Sequence, residues 1–218
     1  MAISRPSRAA VLSVCMVPVL SLATLNAQLL DRILAVVAGE PITLSDVTAA
    51  TRFGLVKEPG TAADRQQAAL EALIDRHLQL IEVNRYLPPE PAAAEIDARV
   101  AQVRGRFASE AAFEAALQES GVSPAQLRAR IRDTLRIEGY LHQRFGASYQ
   151  PSDGEILRYY RAHEADFTKN GLLQPYEAVR EDVRRRVSEE RTDSLVRDWI
   201  AGLRRRGDVT ILPKQQPA

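Results

Sequence analysis

From Ala63 to Arg85 the chain reads ADRQQAALEALIDRHLQLIEVNR, the most regular helical period in the sequence. Leu70, Ile74, His77, Ile81 and Asn84 follow one another at alternating steps of four and three, flanked by Leu73, Leu78 and Leu80. That spacing places them on one face of an α-helix, whereas a strand would divide them between two faces. An amphipathic helix of this length needs other elements to cover it. Leu87-Pro88-Pro89 stops it, because proline lacks the amide the ladder requires.

Downstream, helix follows helix. Pro91 is expected to open the next one at its first turn, and Ile96, Val100, Val103 and Phe107 mark its apolar side. Ser109 caps a short helix carrying Phe113 and Leu117, ended by Gly121. Ser123-Pro124 with Gln126 forms a capping box for a longer helix bearing Leu127, Ile131, Leu135, Leu141 and Phe145. After Pro151, Ser152 and Glu155 repeat the device for a helix with Ile156, Tyr159 and Tyr160. Residues 167–174 are a short link, irregular from Thr168 to Gln174. The last helix runs from about Pro175 to Arg206, with Tyr176, Val179, Val183 and Val187 and then Val196, Trp199, Ile200 and Leu203. Gly207 ends it, and Val209 to Leu212 reads as a strand.

Upstream lies the other strand material. The apolar run Ile33 to Val37 is followed by Gly39-Glu40-Pro41 and Ile42-Thr43-Leu44, which reads as a hairpin. Ser45 is placed to cap a helix running to about Leu55, and Lys57 to Ala63 is a loop. A four-residue strand is unstable alone, so the C-terminal strand is expected to join the N-terminal hairpin. The fold class is therefore mainly α, a multi-helix core with one small sheet built from both ends of the chain.

The first residues read as an export signal. Arg5 and Arg8 precede an uncharged stretch, Ala9 to Leu25, and small Ala27 stands before Gln28. Residues 1–27 are expected to be a signal peptide, leaving 28–218 as the working domain. The competing reading is a retained anchor, which needs about 20 mostly apolar residues; Pro18, Ser13, Ser21 and Thr24 interrupt this stretch. Leu25, three positions before the cut, is larger than the usual small residue. Cys15 is the only cysteine, and the apolar run continues past it, which disfavours a lipid-modified terminus. Without it no disulfide, thiol nucleophile or cysteine metal site remains.

Candidate chemistry is sparse. His77, His142 and His163 occupy three different expected helices, and neither HExxH, GxSxG nor a Walker pattern occurs. No metal or cofactor is expected. His77 falls on an apolar face, where a core or interface role is expected; His142 and His163 read as surface residues. Arg184-Arg185-Arg186 is interleaved with Glu181, Asp182, Glu189 and Glu190, the mark of a solvated face with i,i+4 pairs. The near-balanced charge (+1) disfavours nucleic acid as a partner. Phe107, Phe113, Phe145, Tyr159 and Trp199 sit at helical spacing among aliphatics and read mostly as core. Phe53, Tyr86, Tyr140 and Tyr176 lie nearer helix ends and are the candidate residues for lining a peptide-binding groove.

The segment LDRILAVVAGEPITLSDV, Leu30 to Val47, resembles the opening of SurA-type periplasmic chaperones, D-x-I-x-A-V-V-N-x-x-x-I-x-x-S-D-V, with Ala38 where that pattern has Asn. Ala69 to Arg76 is similar to the family's L-x-x-L-I-D helix, and Ala112 to Gly121 to its F-x-x-x-L-x-x-x-G element; Arg128 to Leu141 continues the match. In that family a helix like Glu155 to Tyr160 leads into a parvulin prolyl-isomerase domain of about a hundred residues. Here only Thr168 to Gln174 separates it from the closing helix. The resemblance thus implies a chaperone core, 28–166 joined to 175–218, without the enzyme.

What it further implies is a periplasmic, ATP-independent holding chaperone whose partners are unfolded outer-membrane or secreted proteins. Such a protein needs an exposed apolar surface and tolerant, multi-helix packing. Two other readings stay open: an assembly subunit with one dedicated partner, and a degenerate peptidyl-prolyl isomerase. A core closed by its own two ends also permits a homodimer by segment swapping.

Overall fold

Ile33–Val37 (β1) and Glu40–Thr43 (β2) pair antiparallel across a two-residue turn, with Ile33 opposite Thr43 and Val37 opposite Glu40, and a bulge between Ile33 and Ala35. The turn residues Ala38 and Gly39 both have positive φ, 51° and 85°, the conformation that matches the strands' twist. Glycine adopts it freely; alanine does so at a cost in Cβ crowding. In this computed structural model, residues 31–56, 62–146 and 149–213 are described. The expected signal peptide, with Cys15, Pro18 and Leu25, and most of the loop after Lys57 lie outside them.

The C-terminal strand Val209–Ile211 (β5) pairs antiparallel with β1, Ala35 opposite Ile211 and Val37 opposite Val209, giving the order β2-β1-β5. The expected union of the two chain ends is therefore present. Period-two alternation turns Ala35, Val37 and Ile42 inward, all nearly inaccessible. Pro41 sits on an edge strand, where a missing amide is tolerated.

Seven α-helices occur among the described residues: α1 Leu44–Arg52, α2 Ala62–Tyr86, α3 Ala93–Arg104, α4 Glu110–Glu119, α5 Pro124–Leu141, α6 Asp153–Ala162 and α7 Tyr176–Arg206. Four expectations are corrected. Thr43, not Ser45, caps α1: its hydroxyl accepts from the Asp46 amide at 3.2 Å while the Asp46 carboxylate accepts from the Thr43 amide at 3.0 Å. The same helix stops at Arg52 rather than Leu55. Pro91 precedes α3, whose N-cap is Ala92, instead of standing in its first turn. The irregular link contains a small hairpin, Thr168–Lys169 (β3) against Leu172–Leu173 (β4), turned by Asn170 and Gly171 at φ 52° and 77°.

The capping boxes at Ser123/Gln126 and Ser152/Glu155 form as expected. α2 packs its periodic face under the sheet, where Leu70, Leu73, Ile74 and Leu78 meet Val37, Ile42, Val47 and Leu203. A second cluster joins Ala49 and Phe53 of the α1 end to α3, α4 and α5 through Val103, Phe113, Leu117 and Ile131. A third holds α6 on the first half of α7 through Ile156, Tyr160, Phe167 and Val183. Arg204, in the basic run Arg204-Arg205-Arg206 that ends α7, is half-buried and paired. Its Nη1 meets Glu71 Oε2 at 2.6 Å, its Nη2 donates to the Glu71 carbonyl at 2.9 Å, and its Nε reaches Asp75. These carboxylates hold its pKa above the usual arginine value, the Asp75 hydrogen bond being the largest cause and burial opposing it. The first basic run is paired as expected, Arg184 with Glu181, Arg185 with Asp182 and Glu189, Arg186 with Asp182.

Candidate peptide-binding surface

Where α2 ends, Tyr86 and Leu87 stand out into solvent, 59% and 75% exposed. Leu87 donates its amide to Val83 O at 3.0 Å, the last bond of the helix, and turns the chain with φ 47°. Such a left-handed leucine is strained. Pro88 and Pro89 follow, and with Tyr86, Tyr140, Gln143 and Arg144 they line a hollow of about 370 Å³. Its far wall is the end of α5 and the π-helical turn His142–Gly146.

The hollow opens on a chain of aromatic rings. Tyr86 and Tyr140 have centroids 5.7 Å apart, Tyr140 and Trp199 5.7 Å, and Trp199 and Phe145 5.9 Å. The Arg144 guanidinium lies 5.9 Å from the Tyr140 centroid and 5.5 Å from that of Phe145, and its Nη1 donates to the Tyr140 hydroxyl at 3.2 Å. Below the rings, Val83 and Ile137 close a small core cluster. Arg136, itself buried, has Nε 3.0 Å from Glu90 Oε1 and Nη1 3.6 Å from Asp133, which fixes the proline segment against α5. Rigid aromatic faces and prolines offer area for apolar side chains at little entropic cost.

Of the four expected groove residues, Tyr86 and Tyr140 come together and the other two do not join them. Phe53 is 1% exposed, its ring 5.9 Å from Phe107 and 6.2 Å from Phe113. It is a core residue, because α3 and α4 close over the end of α1, and it presents no surface. Tyr140 is itself largely buried, showing the groove only part of its ring. Tyr176 packs on Tyr160 at 5.5 Å in the α6–α7 cluster. Trp199, read as core, packs against two core clusters, whereas Leu87, treated in the sequence only as a helix stop, stands exposed. The signal for Leu87 was present: a large apolar residue before two prolines has no helix face to hide it.

A second hollow, about 350 Å³, lies between β2, α1, α2 and α5. Its apolar wall includes Ile42, Leu55, Leu73, Leu80 and Ile81, and its polar wall includes Arg76, His77, Asn84 and Arg130. Arg130 is paired with Asp46 at 2.6 Å and His77 with Glu40 at 3.0 Å. Arg76 differs: its Nη2 donates to the Arg130 carbonyl at 2.5 Å and to Thr134 Oγ1 at 3.1 Å, with no carboxylate oxygen within 4 Å among the described residues. Desolvation lowers its pKa, Arg130 adds to the effect, and Asp133 opposes it. No cluster of three metal-ligating side chains occurs among the described residues, nor a helix long and apolar enough to cross a membrane. Of the other histidines, His163 stacks on Tyr159 at 4.0 Å and His142 caps α5.

No family model matches this sequence, and no curated protein does. Among solved structures, one match covers 84% of this chain and 99% of its own, with a TM-score of 0.53 at 15% identity. It belongs to a pair described as the virulence factor PEB4 and the periplasmic protein Cj1289, structurally related SurA-like chaperones of Campylobacter jejuni. The chain has a SurA-like fold. At 15% identity the likeness concerns how the chain folds rather than which residues line the hollows. SurA-like architecture agrees with the mainly helical class and the small sheet read from the sequence.

Proposed function

We propose that this protein is an ATP-independent holding chaperone, working in the periplasm after loss of residues 1–27, for unfolded outer-membrane or secreted polypeptides. The observation that supports it best is Leu87, an apolar residue kept strained and 75% exposed beside Tyr86 at the rim of an aromatic hollow. Strain and apolar exposure both cost stability, and their coincidence is characteristic of a binding surface. Clients bind through Tyr86, Leu87 and the exposed part of Tyr140, while Tyr176 belongs to a separate surface. The resemblance to SurA-type chaperones implies an isomerase between α6 and α7, and the stretch there holds only the short β3–β4 hairpin, so the proposed holding needs no cis/trans catalysis.

The test is aggregation of a denatured β-barrel protein diluted into buffer with and without near-stoichiometric chain. Suppression is expected, with no acceleration of cis/trans exchange in a proline peptide. A well-folded chain that leaves aggregation unchanged overturns the proposal. One observation favours a dedicated partner instead: Leu172, at the hairpin tip, is 72% exposed and Leu173 beside it is also exposed. Pull-down with one stoichiometric partner, lost in a Leu172→Ser/Leu173→Ser variant, would establish that reading in place of the first.

A further inference from the structure

We propose that the hollow around Arg76 is a pocket for a single apolar residue of an extended polypeptide, whose main-chain carbonyl accepts a hydrogen bond from the Arg76 guanidinium. The inference rests on the holding-chaperone reading and names how part of a client is gripped. Arginine carries five N–H donors. At Arg76 only the two on Nη2 have protein acceptors, leaving Nε and Nη1 without any among the described residues. The same hollow has apolar lining from Leu73, Leu80, Ile81 and Ile42, and its volume of about 350 Å³ has room for a large aliphatic side chain.

Electrostatics choose between the acceptors that would satisfy such donors. Glu40, Asp46 and Asp133 also line the hollow. Each already has a cationic or imidazole partner: Glu40 has His77, Asp46 has Arg130, and Asp133 has Arg132 and Arg136. The lining thus sets three carboxylates against two guanidiniums, Arg76 and Arg130, and has no net positive charge to draw a carboxylate ligand in. A neutral amide carbonyl takes the same hydrogen bonds and needs no net positive field to bring it there. The ligand is therefore an internal residue of a chain rather than its free C-terminus or an acidic side chain.

The test uses an uncharged decapeptide with one photoactivatable leucine, acetylated and amidated, and a second version ending in a free carboxylate. Irradiation of the full chain with the capped peptide is expected to label Leu73, Leu80 or Ile81, and the free acid no better. Asn84→Trp, a substitution at an exposed position of the lining, should abolish that labelling with the helical circular dichroism and unfolding midpoint unchanged. Arg76→Met should weaken it about tenfold, the loss of a charge-assisted bond; if that variant does not fold, Asn84→Trp decides alone. Labelling confined to Tyr86 and Leu87, with aggregation still suppressed, overturns the pocket and leaves the chaperone standing. Stronger labelling by the free acid overturns the neutral-carbonyl assignment. Absence of both labelling and suppression overturns both.

Discussion

Replacing Phe53 tests whether it belongs to the core or to the client surface. The ring is 1% exposed and meets Phe107 and Phe113 at 5.9 and 6.2 Å. In Phe53→Ala roughly 100–130 Å² of apolar area loses its cover, about 3 kcal/mol at about 25 cal/mol/Å². Two ring–ring contacts add about 0.5–1.5 kcal/mol each, and partial collapse returns some of this, so the expected loss is about 3–5 kcal/mol. With a urea slope of about 2 kcal/mol/M, the unfolding midpoint falls by roughly 2 M. Phe53→Leu keeps most of the volume and should cost about 1–1.5 kcal/mol. Chemical denaturation followed by Trp199 fluorescence measures both, and aggregation suppression at low temperature measures client holding. The reasoning fails if Phe53→Leu leaves the midpoint unchanged while holding is lost, because that is the behaviour of a surface contact.

Four further outcomes follow from the same geometry. Leu87→Gly relieves a left-handed leucine and should raise stability by up to about 1 kcal/mol while lowering aggregation suppression; a less stable variant with full activity refutes the strain account. Ala38→Asn, in the β1–β2 turn at φ 51°, should raise the melting temperature through a gain of about 0.5–1 kcal/mol, since asparagine suits that conformation better than alanine. Arg204→Met removes the clamp between α7 and α2 and should cost about 1–2 kcal/mol; unchanged thermal unfolding would dismiss the clamp. Glu155 is held at a pKa of about 2, first by the Ser152 hydroxyl, then by the Tyr149 hydroxyl and the Ser152 amide. Its folded pKa is depressed, so its contribution is complete above the unfolded value near 4.5 and fades as pH falls toward about 2. The stability gap between the chain and Glu155→Gln should close over that window, and a gap constant with pH would exclude the carboxylate as its source.

What was readable locally shows how each feature is encoded. Ser123/Gln126 and Ser152/Glu155 are complete within four residues, so their capping boxes were legible from sequence. Thr43 and Ser45 both offer a hydroxyl before the first helix, and the sequence favoured the wrong one. The β1 pairing that fixes Thr43 opposite Ile33 settles the choice by holding Thr43 extended. The β3–β4 hairpin was read as irregular because two-residue strands have no period to detect, although Asn170-Gly171 is a strong turn pair.

The sequence by itself determined the helical class and the capping boxes at Ser123 and Ser152, because helical period, proline stops and hydroxyl caps act within a turn or two of chain. Only the tertiary structure decided which aromatic residues face solvent. Phe53 and Tyr86 both stand near a helix end in sequence, but α3 and α4 cover the first, whereas the turn at Leu87 carries the second away from its neighbours. The Arg76 hollow likewise exists only because α2 and α5 meet, bringing Arg76 to the carbonyl of Arg130 and to Thr134. Burial belongs to pairs of elements distant in the chain, and a local pattern cannot specify which of its two similar faces the rest of the fold will cover.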